Sequence, residues 1–170
     1  MNKQELIAYL SDERAKLEAV LARVKPEQMM QAGVCGDWSV KDIVAHLGVW
    51  TSREVTVLFQ AERGQKISYG VPDDSVNDWA NVNAKDYEQQ KDRPLERILE
   101  DFRGAHKQLL KRLNTWQDET ALFQANNFAG SKSSLADKMI GGVGEHDAEH
   151  REQIEAWLAK LAHGFQMNKL

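Results

Sequence analysis

The sequence predicts an all-α protein, a bundle of four main helices with a shorter fifth one inserted. Apolar residues recur at three- and four-residue steps through most of the chain, and no segment alternates convincingly between apolar and polar as a strand does. Glycine- and proline-containing breaks separate these periodic stretches. No internal repeat, low-complexity tract or second-domain boundary interrupts them, so one domain across 1–170 is expected.

The first helix carries Leu6, Leu10, Glu13, Leu17, Leu21 and Val24 on one face and stops before Pro26. A turn-rich link, "QAGVCGDW", leads to Ser39, which reads as an N-cap with Asp42 three residues on, an acidic form of the capping box. The second helix is expected from about Val40 to Glu62, with Ile43, Val44, Leu47, Trp50, Val55 and Leu58 inward. "RGQKISYGVPDDS" breaks it, and the polar stretch "VNDWANVNAKDYEQQK" supplies the inserted helix. Pro94 suits a first helical turn, after which Leu95, Ile98, Leu99, Phe102, Leu109, Leu113 and Trp116 form a buried stripe. The pattern is lost from Gln117 to Ser133, where Gly130 and Ser131 mark a loop. The last helix begins near Ser134 and carries Met139, Ile140, Val143, Ile154, Trp157, Leu158 and Leu161. Gly141, Gly142 and Gly144 are costly inside it, about 1 kcal/mol each against alanine. Either the helix starts later, or a neighbour comes close there.

Composition bounds the function. A net charge of -4, with no run of Lys and Arg, argues against nucleic acid and against a membrane surface as partners. The opening "MNKQELIAYLSDERAK" is charged and helical in pattern, unlike a signal peptide, and no stretch has the roughly 20 apolar residues of a membrane span. A cytoplasmic protein is expected. Cys35 is the one cysteine, which excludes an internal disulfide framework and a thiolate zinc cluster, and it reads as a small buried hydrophobe.

The histidines carry the chemistry. His146 and His150 stand four apart, one above the other on a helix face, in line with Val143, Ile154 and Trp157. His46 lies between Ile43 and Trp50 on the inner side of the second helix, His106 follows Phe102 by four, and His163 sits at a polar helix end. A pair at this spacing can hold a metal, and a third ring from another helix makes a useful site with an open position for substrate. Equally, such rings can be core histidines bonded to their neighbours; spacing leaves both readings open. A zincin protease does not fit, because in "HDAEH" Asp147 stands where that mechanism needs glutamate.

"DWSVKDIVAHLGVWTSREV" and "EHDAEHREQI" together resemble the DinB-like superfamily of metal-binding helical bundles. "VNAKDYEQQKDRPLERILEDFRGAHKQLL", followed by "ALFQ", is most similar to its ClbS/DfsB branch. The resemblance implies an up-down-down-up four-helix bundle with an additional short helix. It also implies a divalent metal (nickel, zinc or manganese) on His46, His146 and His150, since the matching positions all hold histidine. The activities it suggests are small-molecule hydrolysis or thiol-linked transfer in detoxification or stress resistance; a non-catalytic, sequestering protein is the alternative. The partner implied is a small-molecule substrate or ligand, and a homodimer through helix faces is compatible with such bundles.

Asp42 reads as a cap rather than as support for His46, and His106 is the rival ligand. Glu54, Glu145 and Glu149 are candidate bases whose simpler role is solvation, and Arg151 and Gln153 read as a salt bridge and a hydrogen bond at the core edge. Trp38, Trp50, Trp79, Trp116 and Trp157 read mostly as core, with Trp50 and Trp79 also placed to line a pocket. The "GQKISYGVPDD" and "QANNFAGSKS" loops are expected at the rim of the cavity.

Overall fold

In the computed structural model, which describes residues 1–70, 78–128 and 131–167, the expected helices form at nearly the expected places. Helix α1 runs Lys3–Leu21, α2 Val40–Glu62, α3 Trp79–Gln90, α4 Leu95–Thr115, α5 Glu119–Phe123 and α6 Leu135–Met139, with α7 at His146–Met167. Between α6 and α7 the chain winds as a π-helix over Ile140–Glu145. The inserted helix begins with Asp78 as its cap; Val76, Asn77 and Pro72, also assigned from sequence, lie outside the described residues.

Local chemistry sets the helix starts. Asn2, Ser39 and Ser134 each close a capping box with the acid three residues on: Glu5, Asp42 and Asp137. Asp42 is therefore fully used as a cap, its carboxylate accepting from the Ser39 amide (2.9 Å) and hydroxyl (2.6 Å). Pro94 serves as N-cap of α4 rather than lying in its first turn.

α2 packs along α4 and α1 along α7, which makes a four-helix arrangement with α3 laid over α2. The core has two halves. One gathers Leu17, Ile43, Leu47, Phe102 and Ile154; the other gathers Leu6, Leu10, Leu58, Leu109 and Met139. The α2–α4 crossing depends on Gly48, where an added Cβ would lie 3.2 Å from the Phe102 Cα. Gly48→Ala is expected to cost about 1–3 kcal/mol by forcing the helices apart, measured as the shift in urea midpoint; an unchanged midpoint would show that the crossing yields freely.

Sequence periodicity missed the short elements between α4 and α6, which are α5 and a small antiparallel strand pair. Asn126–Phe128 and Ser131–Ser133 pair antiparallel, Asn126 opposite Ser133, in the segment expected to be loop. Three-residue strands are too short to show an alternation. Gly130, assigned to a loop from the sequence, lies outside the described residues.

Candidate metal centre

The π segment answers the question of the glycines, and both earlier alternatives hold in part. Regular α-helix resumes only at His146, and side chains from other helices press on the preceding turn. A Cβ on Gly142 would lie 2.5 Å from Glu54 Oε1, and one on Gly144 would run into the Tyr9 ring. None of the three glycines has the left-handed backbone that only glycine tolerates well; at Gly142 and Gly144 close approach is the reason for glycine.

This turn delivers His146 and His150 opposite His46 of α2. The three Nε2 atoms converge: His46 to His146 is 2.9 Å and His150 to His146 is 3.2 Å. Among the described residues, this is the one group of three or more His, Cys, Asp or Glu side chains whose donor atoms come within metal-binding reach of one another, all within 4.8 Å.

The hydrogen bonds at the far sides of the rings decide what the near sides present. His150 Nδ1 donates to Gln153 Oε1 at 2.8 Å, and the His146 ring donates to the Gly142 backbone one turn earlier. A neutral imidazole has one N–H. With that proton placed outward, His146 and His150 turn bare Nε2 lone pairs toward each other at 3.2 Å. His46 can donate to one of them but not relieve both. A cation at the point of convergence would, so the donor set fits a divalent metal.

Electrostatics keep the rings in the state a metal needs. Burial lowers the His46 pKa to about 2, with His146 and His150 adding to the effect. Burial likewise lowers His146 to about 4, and His150 is lowered too, against the opposing pull of Gln153 and Glu149. His46 Nδ1 has no partner among the described residues. The His46 residue borders a hollow of about 10 Å³ walled by Trp38, Asp42, Asn83 and Asp86, close to the smallest space that holds one water.

Aromatic rings surround the centre. Trp38 meets His46 edge-on at 5.2 Å, Trp50 stands 6.3 Å from His146, and Trp79 packs on Trp50 at 5.3 Å. Trp79 is 36% exposed, so it is a rim residue where the sequence suggested mostly core, whereas Trp116 and Trp157 are buried as expected.

The other candidates fall elsewhere. His106 does not join the centre; it lies on α4 beside Arg14, where burial and that charge lower its pKa to about 3. Glu145 and Glu149 are exposed. Gln153 bonds His150, and Arg151 pairs with Glu13 at 3.3 Å. His163 bonds the Ala159 carbonyl at 2.7 Å on the surface. Cys35 is exposed, which corrects the buried reading; its link folds outward in a tight turn where Trp38 takes up the inner position. Asp147 points away from the rings and closes a buried pair with Arg14 at 2.7 Å, so it has no part in base chemistry at the centre.

Glu54 is the residue whose role the sequence left undervalued. It is 2% exposed, its carboxyl is pushed up to about 8 by burial, and it hydrogen-bonds Tyr69. Its spacing held the signal: eight residues after His46 and four after Trp50, it continues their helix face.

Fold and centre define a class, an all-α bundle with three imidazoles meeting between its second and last main helices. The chain belongs to the mycothiol maleylpyruvate isomerase N-terminal domain family, whose model matches residues 10–138, and with it to the DinB-like superfamily. The matched span contains His46 and ends before His146 and His150. No curated protein matches the chain. Among solved structures, the colibactin self-resistance protein ClbS is 16% identical over 93% of this chain and 96% of its own, with a TM-score of 0.78. The sibling lethal factor precursor DfsB is 16% identical over 95% and 97%, with a TM-score of 0.81. An uncharacterised protein from Escherichia coli UTI89 is 16% identical over 95% of both chains, with a TM-score of 0.80. These likenesses show a shared fold, that of the proteins for which the ClbS/DfsB branch is named.

One of them corrects the expectation that nucleic acid is not a partner: ClbS was solved in complex with a dsDNA. Net charge was too coarse a guide, because -4 sums every face of the molecule and says nothing of any single one. No helix among the described residues is long and apolar enough to cross a membrane.

Proposed function

We propose that His46, His146 and His150 bind one divalent ion, nickel, zinc or manganese, and that the protein is a metal-dependent hydrolase or thiol-linked transferase of small molecules. The observation that carries this reading is the convergence of the three Nε2 atoms, His146 lying 3.2 Å from His150 and 2.9 Å from His46. Bound there, the ion would act as a Lewis acid on a substrate held at an open coordination position. Gln153 and the Gly142 backbone orient two of the rings, and Trp38, Trp50 and Trp79 shield the centre from water and offer flat apolar surface to a substrate. A cytoplasmic role in detoxification or stress resistance is in keeping with the fold shared with ClbS.

A second reading, sequestration without turnover, is favoured by one feature. Among the described residues no carboxylate joins the three imidazoles within ligand reach, and none is placed as an obvious base. Elemental analysis of untagged protein, purified without chelator, tests the common premise. About one equivalent of nickel, zinc or manganese, lost in His150→Ala, is expected. Protein that lacks metal and gains no stability from added Ni²⁺, Zn²⁺ or Mn²⁺ would overturn it. Turnover of reactive electrophiles, with and without a low-molecular-weight thiol, then separates enzyme from binder, and dsDNA belongs in the binding assays because of ClbS.

A further inference from the structure

We propose that Glu54, tethered by Tyr69, is a positioning residue for His146, acting through Gly142. The inference rests on the reading that the three histidines bind a metal.

Glu54 presses its side-chain end against the π turn. An added Cβ on Gly142 would come not only within 2.5 Å of Oε1 but also within 3.2 Å of Cδ and 3.4 Å of Cγ, so the end of the Glu54 side chain covers that glycine. Gly142 is in turn the backbone partner of the His146 ring. The His146 amide bonds the Val143 carbonyl, three residues back. In an α-helix it would take the Gly142 carbonyl instead. With the amide engaged at Val143, that carbonyl is left to the ring, and single π turns are frequent at functional sites. A hydrogen bond at the far nitrogen fixes a metal-binding imidazole in tautomer and plane. Whatever holds Gly142 in place therefore aims His146.

Glu54 is suited to that task by shape. A carboxyl group is planar and thin enough to fit against a glycine, and Tyr69 is its side-chain hydrogen-bond partner. It is a costly choice for a mere filler: Oε2 is fully buried with no partner among the described residues. Tyr69 also stands in edge contact with Trp79 (6.1 Å) and in a tilted contact with Trp50 (6.4 Å), so the clamp is continuous with the aromatic rim. Trp50 itself stands beside His146.

Cobalt(II) reports the geometry, because its visible absorption depends on ligand arrangement. Wild type, Glu54→Gln, Glu54→Ala, Tyr69→Phe and Gly142→Ala would be titrated with Co²⁺ after chelation, with circular dichroism confirming helix content. Glu54→Gln keeps the shape and the acceptor for Tyr69, and is expected to retain the wild-type spectrum and affinity. Glu54→Ala and Gly142→Ala are expected to change the spectrum and to weaken Co²⁺ binding by roughly 10–100-fold, the usual consequence of losing outer support. Tyr69→Phe, which folds without the tether, is expected to shift the spectrum in the same direction. Folded Glu54→Ala and Tyr69→Phe proteins with the wild-type spectrum and affinity would overturn the inference while leaving the metal site standing. A wild type that takes up no Co²⁺ would overturn both.

Discussion

Replacing Asp147 by alanine is expected to destabilise the protein by about 3–5 kcal/mol, because it strands a guanidinium in the core. Arg14 of α1 is 5% exposed and Asp147 of α7 is 1% exposed. Their contact is bidentate, Nε to Oδ2 at 2.7 Å and Nη2 to Oδ1 at 3.2 Å. Arg14 also donates to the Phe102 carbonyl of α4 and the Thr51 hydroxyl of α2, and its guanidinium stacks 3.9 Å over the Phe102 ring. One arginine thus ties together all four main helices. Removing the carboxylate takes away the compensating charge and leaves the cost of burying the other. Arg14→Met with Asp147→Leu should cost much less than Asp147→Ala alone, since neither charge is then buried unpaired. Urea denaturation with chelator present, to keep metal out of the comparison, gives the numbers. A loss under 1 kcal/mol for Asp147→Ala would mean that water reaches Arg14 and that the pair is not a buried one.

The same pair shows what the sequence could and could not disclose. The Asp147 position told against a zincin, and the structure adds that this carboxylate is taken up by the buried Arg14 and so is not free to serve the rings. Legible features were those written in local chemistry. Ser39 and Asp42 announce the start of α2, and the repeats of Leu6, Leu10 and Leu17 or Ile98, Phe102 and Leu109 announce buried faces. The pairing of His146 with His150 follows from one helix and four residues. What stayed hidden depends on distant parts of the chain. Nothing near Arg14 tells that its partner lies 133 residues on. Nothing near Gly142 names Glu54 as the neighbour that forbids a side chain there. His106 has a spacing as inward as that of His46, yet it faces Arg14 rather than the other rings, a distinction that only helix rotation in the packed bundle decides.

Those hidden neighbours also set how stability should vary with pH, in opposite senses on the two sides of neutrality. Glu54 has its carboxyl raised from 4.5 to about 8, chiefly by burial. A raised pKa means that the folded protein holds a proton the unfolded chain releases. The stability involved is fully present below about pH 4.5 and is lost as pH rises toward 8. His106 has the reverse sign: it falls from 6.5 to about 3, so its contribution is present above pH 6.5 and is lost as pH drops toward 3. The metal-free rings of His46 and His146 act in the same direction as His106. Each tenfold change in proton affinity is about 1.4 kcal/mol, so each of Glu54 and His106 governs on the order of 5 kcal/mol across its range. The two ranges overlap between about pH 4.5 and 6.5, where the histidines together outweigh Glu54, so metal-free protein should be most stable near pH 6.5 and weaken on both sides. Glu54→Gln cannot ionise, so its unfolding free energy should fall much less than that of wild type between pH 6 and pH 9, whatever the two values are at pH 6. His106→Leu should flatten the acid limb between pH 6 and pH 4 and leave the alkaline one alone. Urea midpoints across this range decide the matter, and wild-type and Glu54→Gln curves running parallel from pH 6 to pH 9 would show that Glu54 ionises as freely in the fold as out of it.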